Sequence, residues 1–220
     1  MVTARKTLIA AALLICVVTS TEAQSRKLGP KDRDVILDAR VDASFASTAL
    51  TKVVFLPFSN ELDYSEGADV LAQNFIAAMR QMHPEIEIKG PEETRKLIQD
   101  LKLANDYRSF SGNYMNTGVF TTPFLKAFGK AGQVDAILIG RVLGYGAQRE
   151  RRALVTGLGT ITWSRDRAVA GMELTLVRST DGRELWRGAH VVEGAKNENV
   201  LEISKVVRTV FASFFGRRPY

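Results

Sequence analysis

The sequence predicts an α/β fold: a single mixed α/β domain with helices packed on a central sheet, in the order β-α-β-α-α-β-β-β-β-α. Three observations carry that expectation. Two runs, "KVVFLPF" (52–58) and "VDAILIGRVLGY" (134–145), have the β-branched and aromatic content of buried strands. Between them, apolar residues recur at helical spacing. After residue 145 the helical period gives way to alternation and returns only in the last segment. Such a pattern fits a three-layer arrangement, or a sheet with helices mainly on one side.

Taken in order, 24–50 is weakly patterned and reads as a leader or linker, with a short helix near Asp34 to Arg40. The strand at 52–58 is stopped by Pro57 and the turn-forming "SNELDYSEG". Leu71, Phe75, Met79 and Met82 then share one helical face, with Ser65 or Asp63 as the cap. "EIEIK" (85–89) alternates as a strand does. Gly90-Pro91-Glu92-Glu93 opens a second helix, the proline suiting a first turn and the acids the positive end of the dipole, with Leu97, Ile98 and Leu101 inward.

The stretch "ANDYRSFSGNYMNTGVFT" (104–121) shows no clear period and reads as a long loop, a kind of segment that is more often functional than incidental. Thr122-Pro123 reads as a cap and first-turn proline before a short helix. The run at 134–145 is expected centrally in a sheet covered on both faces. Strand candidates follow at 153–163, 168–179 and 183–194, the last two joined by a hairpin turn at Asp181-Gly182. Asn197 caps a closing helix with a stripe of Val200, Ile203, Val207, Val210, Phe211 and Phe214.

The amino terminus concerns export. Arg5 and Lys6 precede an apolar run from Leu8 to Val18, and Thr21-Glu22-Ala23 offers small residues where a signal peptidase reads. The run is shorter than the about 20 apolar residues that span a bilayer. Lipid attachment at Cys16 is the alternative fate, but Ile15 stands where a small residue is normal. The reading is therefore a signal peptide, 1–23, cleaved after Ala23, followed by a leader at 24–50, the α/β envelope domain at 51–216 and a basic tail at 217–220. Cys16 is the one cysteine of the chain, so the mature protein would have no disulfide, thiolate nucleophile or cysteine zinc site.

The net charge of +6 is interspersed along the chain. Its dense clusters, Arg149-Glu150-Arg151-Arg152 and Arg217-Arg218, lack the interleaved aromatics of a nucleic-acid platform, so no nucleic acid is expected as partner. Catalytic constellations are thin. His83 and His190 are far apart and neither has metal-ligand spacing; no nucleophile elbow or phosphate-binding loop occurs. Asp181, Glu184, Glu193 and His190 could gather at a sheet edge, an arrangement that sequence alone leaves open. No cofactor, no metal and no enzymatic activity are expected.

Four segments carry a resemblance: "KVVFLPF", "ADVLAQNFIAAMRQM", "VDAILIGRV" and "MELTLVRSTDGRELWRG". Together they resemble the α/β fold shared by the curli secretion-channel lipoprotein, the lipoprotein activators of penicillin-binding proteins and the amino-terminal domain of the Tol-system propeller protein, over roughly 52–215. In that group a hairpin of the type Leu-x-Asp-x-x-Gly-x-x-x-Trp recurs, and Val177 to Trp186 is similar to it. The resemblance implies envelope scaffolding, secretion or support of cell-wall synthesis, without catalysis. Its motifs keep the fold and encode no site.

The expected product is an exported accessory protein, periplasmic or secreted and peripheral to the outer membrane at most, that binds another envelope protein. The alternative is an oligomeric, outer-membrane-associated component of secretion-channel type. Oligomerisation and contact of the 144–166 hairpin with a membrane stay open. The candidate partner-binding residues are Tyr107, Phe110, Tyr114 and Met115 in the 104–121 segment and Arg149, Arg151 and Arg152 at the basic tip, because aromatic and arginine side chains anchor interfaces.

Overall fold

The computed structural model describes residues 33–45, 48–60, 63–148, 153–156, 159–162, 167–194, 200–205 and 207–208. The expected signal with Cys16, the Asn197 cap, the later part of the closing stripe (Val210, Phe211, Phe214) and the basic tail lie outside the described residues.

The chain runs through β1 (Arg33–Val41), a 3-10 turn (Ala43–Phe45), β2 (Lys52–Phe55), α1 (Ser65–Met82), β3 (Glu87–Lys89), α2 (Pro91–Asp100), α3 (Ala104–Thr117) and α4 (Thr122–Gly132). It continues through β4 (Ala136–Gln148), β5 (Ala153–Thr156), β6 (Gly159–Thr162), β7 (Arg167–Arg178) and β8 (Glu184–Gly194), and residues 200–205 and 207–208 are helical. Six strands form one sheet in the order β1-β8-β7-β4-β2-β3. The β4-β2-β3 side is parallel, built by helical crossovers, and the β4-β7-β8-β1 side is antiparallel. The single mixed α/β domain expected from the sequence is thus what forms.

β4 lies inside this sheet, and its side chains alternate between two cores. Ala136, Leu138 and Val142 join Phe55, Phe75, Met79, Trp186 and Ile203 on the face covered by α1 and the last helical segment. Ile137 and Ile139 join Leu56, Ile98, Phe110, Phe124 and Phe128 on the face covered by α2, α3 and α4. Burial on both faces is why the 134–145 run reads as nearly continuous apolar sequence. On α1, Leu71, Phe75 and Met79 are buried as the spacing predicts, whereas Met82, the last residue of the helix, is exposed.

Side-chain anchors fix the register. The Asp135 carboxylate accepts from the Thr51 N–H (2.7 Å), the Thr51 hydroxyl (2.7 Å) and the Lys52 N–H (2.9 Å), tying the start of β2 to the start of β4. The β7–β8 turn falls at Asp181-Gly182 as expected, with Gly182 at φ +76°, where glycine has no steric cost. Asp181 accepts from the Arg178 guanidinium (2.6 Å) and the Arg183 N–H (3.0 Å). Arg183 in turn donates to Asp42 at 2.8 Å, joining this turn to the end of β1.

Several local expectations are corrected. Within the segment read as leader, residues 33–41 form a strand rather than a helix or linker, and Phe45 and Leu50 belong to the core. The reason is non-local: β1 pairs antiparallel with β8, whose edge supplies hydrogen-bond partners that no local pattern reveals. The candidate strand at 153–163 is two short strands, β5 and β6, paired with each other in a separate two-stranded sheet. α1 starts after Tyr64 without a side-chain cap from Ser65 or Asp63, and α4 starts after Thr121, one residue before the expected cap. At α2 the Glu93 carboxylate accepts from the Gly90 N–H at 2.9 Å, which gives the acids of this helix start a specific role.

This anchoring makes stability acid-sensitive. The Ser44 hydroxyl and N–H, helped by Arg183, hold the Asp42 carboxyl at about 2 rather than 3.8, and Arg178, helped by the Arg183 N–H, does the same for Asp181. Because the folded-state values are depressed, the stabilisation is complete above the unfolded value of 3.8 and is lost as pH falls toward about 2. Urea midpoints measured from about pH 5 down to about pH 2 should therefore fall for the native chain. They should fall less steeply in the Asp42→Asn/Asp181→Asn variant, whose two groups no longer titrate.

Candidate functional site

The second face of the sheet changes character along its strands. Near α4 it is apolar, from Ile137 and Ile139 on β4 and Val177 on β7. Further along the strands the same face carries Arg141, two residues past Ile139 on β4, and Glu173, four residues before Val177 on β7 with Thr175 between, and β8 adds Arg187. Arg141 and Glu173 stand directly opposite one another in the β4–β7 register, and Arg187 stands opposite Thr175, diagonal to Glu173. The sheet pairing itself therefore assembles a ladder of charges.

The Arg141 Nε donates to Glu173 Oε2 at 2.8 Å, and Arg187 Nη1 lies 3.7 Å from Glu173 Oε1. Arg187 also pairs with Glu184 at 2.6 Å. Side-chain exposures of 10% for Arg141, 1% for Glu173 and 14% for Arg187 place the ladder in the interior. Charges so buried are tolerable only because they neutralise one another at hydrogen-bonding distance.

Helix α3 lies against this ladder. Its Tyr114 is buried, and burial, followed by the nearby Glu173 charge, pushes the phenol up to about 12 even though Arg141 and Arg187 act in the opposite direction. Gly118 ends the helix at φ +68° with its N–H donated to the Tyr114 carbonyl at 2.8 Å, and a side chain built there would stand 3.7 Å from Arg141 Nη2. The guanidinium thus lies at the negative end of the helix dipole, a favourable place for a cation. Phe110 packs on Phe124 with ring centres 5.0 Å apart, Phe124 on Phe128 at 5.6 Å, and the Tyr107 hydroxyl donates to the Pro57 carbonyl at 3.2 Å.

These positions correct the sequence reading of 104–121 as a loop with exposed anchors. Residues 104–117 are helical; Phe110 and Tyr114 are core residues, Tyr107 is half-buried, and of the expected aromatic and methionine anchors only Met115, 45% exposed, faces solvent. The signal was present: Leu103, Tyr107, Phe110 and Tyr114 follow one another at spacings of four, three and four, one helical face hidden among Asn, Ser and Gly. Arg149, Arg151 and Arg152 lie outside the described residues. The ladder was also foreshadowed, by single charges inside otherwise apolar strands at "LIGRVLG" and "MELTL".

The acids considered for an edge site do not gather there. Asp181 and Glu184 are engaged by Arg178 and Arg187, while Glu193 and His190 are buried farther along β8. A groove of about 370 Å³ lies elsewhere, between α1 and the start of α2, lined by Asp69, Gln73, Ile76, Arg80, Glu92 and Glu93 among others. Among the described residues no group of three or more His, Cys, Asp or Glu is placed to hold a metal ion, and no helix is long and apolar enough to cross a membrane.

No protein-family model matches the chain, and no curated protein matches it in sequence. Solved structures with a similar arrangement include a PelC dodecamer from Paraburkholderia phytofirmans, 10% identical with a TM-score of 0.46, covering 84% of this chain and 100% of that one. They also include lipoprotein GNA1162 from Neisseria meningitidis, 17% identical with a TM-score of 0.45, covering 76% of this chain and 99% of that one. Likeness at this level assigns no family and no activity.

The charge ladder can be weighed by a double-mutant cycle in chemical denaturation. Arg141→Met alone should cost about 3–5 kcal/mol, because it strips Glu173 of its closest partner. Adding Glu173→Leu should recover most of that loss, since a buried pair exchanged for apolar residues is close to neutral.

Proposed function

We propose that this chain is an exported, non-catalytic accessory protein of the cell envelope that binds another envelope protein through its surface. The observation that carries the reading is the amino-terminal pattern of a cleaved signal, Arg5 and Lys6, the run Leu8 to Val18, and the small residues before Ala23. The domain behind it supports the same conclusion from chemistry. Its buried charges, Arg141, Glu173 and Arg187, are matched to one another, and none of them lines the groove between α1 and α2. An active site instead keeps perturbed groups facing a cleft.

Contact with the partner is assigned to the carboxyl end of α3, where Met115 (45%) and Val119 (65%) are exposed near one another in sequence, and to the basic tip Arg149, Arg151 and Arg152. Exposed apolar side chains and arginines are the residue types suited to anchor such a contact. A second reading, an oligomeric component associated with the outer membrane, draws on the separate β5–β6 hairpin between β4 and β7. It requires detergent for extraction and a ring-sized mass; a freely soluble monomer dismisses it.

Fractionation of a Gram-negative host expressing the chain, with intact-mass analysis, tests export: the expected product begins at Gln24 in the periplasmic fraction. An acylated product beginning at Cys16 contradicts cleavage after Ala23, and a cytosolic chain still carrying Arg5 and Lys6 contradicts export itself. For the surface, Met115→Asp/Val119→Asp should reduce partner recovery from envelope extract at least about tenfold with an unchanged unfolding midpoint. Unchanged recovery removes this patch from the proposal.

A further inference from the structure

Helix α3 differs from its neighbours in how it is held. Its sequence is rich in weak helix formers, among them Asn105, Asp106, Ser109, Gly112, Asn113 and Asn116, so its own propensity contributes little. Within the helix only Phe110 and Tyr114 are fully buried, against five buried residues on α4 and, as on α3, two on α2. Both of its ends pass through left-handed backbone: Lys102 at φ +59° just before it and Gly118 at φ +68° just after. A lysine in that region is uncommon and strained. The helix is thus a weakly propagating unit, docked by a few side chains and bounded by two residues at which the chain changes direction.

Beneath its carboxyl end lies Arg141, whose Nε is taken by Glu173 and whose Nη groups face Gly118. From these observations we infer that α3 is a displaceable cover, which opens as a unit about Lys102 and Gly118 and uncovers the Arg141–Glu173–Arg187 ladder together with the Phe124–Phe128 stack. The contacts that close it are Tyr114 over the ladder, Phe110 on Phe124, and the helix terminus on the Arg141 guanidinium. The sheet below does not depend on the cover for its pairing, because β4 is paired with β7 from Ala136 to Gln148 and with β2 from Ala136 to Leu138. Local opening of such a segment, with the sheet intact, is the expected behaviour of an element with few buried contacts.

Two readouts on the mature chain test the inference together: native-state amide exchange, and labelling of arginines by phenylglyoxal followed by mass spectrometry. The amides of α3 should exchange through one shared opening far smaller than that which releases β4 and β7. Arg141 should label slowly, in step with that opening, while the half-exposed Arg183 labels at once. Gly118→Ala, which places a side chain at a positive φ, should speed both α3 exchange and Arg141 labelling by about tenfold. Lys102→Gly, which relieves strain, should slow both by about threefold. Exchange of α3 only at the level of β4 and β7 would overturn the inference, and so would Arg141 labelling that fails to follow α3 in either variant. If Gly118→Ala does not fold, Lys102→Gly and the native chain still decide the matter.

Discussion

The structure depends on one constraint: β4 is buried on both faces and yet carries a charge. Its neighbours in the sheet must close a core on each side of it, and one of those cores must also neutralise Arg141. Apolar alternation satisfies the first demand, with Ala136, Leu138 and Val142 on one face and Ile137 and Ile139 on the other. Strand register satisfies the second, since pairing β4 with β7 puts Glu173 directly opposite Arg141. A one-residue slip of β7 would send Glu173 into the apolar core and leave Arg141 without its partner, so the ion pair and the register enforce one another.

From this follows the division of labour among the helices. α1 meets the part of its face lined by Phe55, Leu138, Leu174 and Leu176, and its stripe of Leu71, Phe75 and Met79 suits it. α4 brings Phe124, Leu125 and Phe128 to the apolar end of the opposite face. α3 meets the charged end, where a greasy helix would leave the guanidinium unsolvated, and it presents instead a tyrosine and a helix terminus. Its polar, glycine-containing sequence is therefore a response to what lies beneath it, and the same composition gives it little helix propensity of its own.

Much of the fold was legible because it rests on local periodicity. The two-sided burial of β4 was readable from its nearly continuous apolar run, α1 from its spacing of four, and the β7–β8 turn from Asp181-Gly182. What was not legible depended on partners distant in sequence. β1 exists because β8 offers it an edge, and the split of 153–163 into β5 and β6 reflects pairing within the segment where alternation alone suggested one strand. Of the candidate site, the segment was found and its character misread: Tyr107, Phe110 and Tyr114 attracted notice as aromatics, but their spacing, which buries them, was masked by the helix-poor residues between. The ladder needed three strands to be registered before its charges could meet.

The central claim is that Arg141 and Glu173 form a closed, water-excluded pair that locks β4 to β7 beneath α3. The most direct measurement is hydrogen exchange of arginine Nε–H groups by ¹⁵N NMR. The account expects the Arg141 Nε–H to persist at neutral pH, protected relative to the exposed Arg183, and to lose that protection in Glu173→Gln. An Arg141 Nε–H that exchanges as fast as that of Arg183 in the native chain would contradict it.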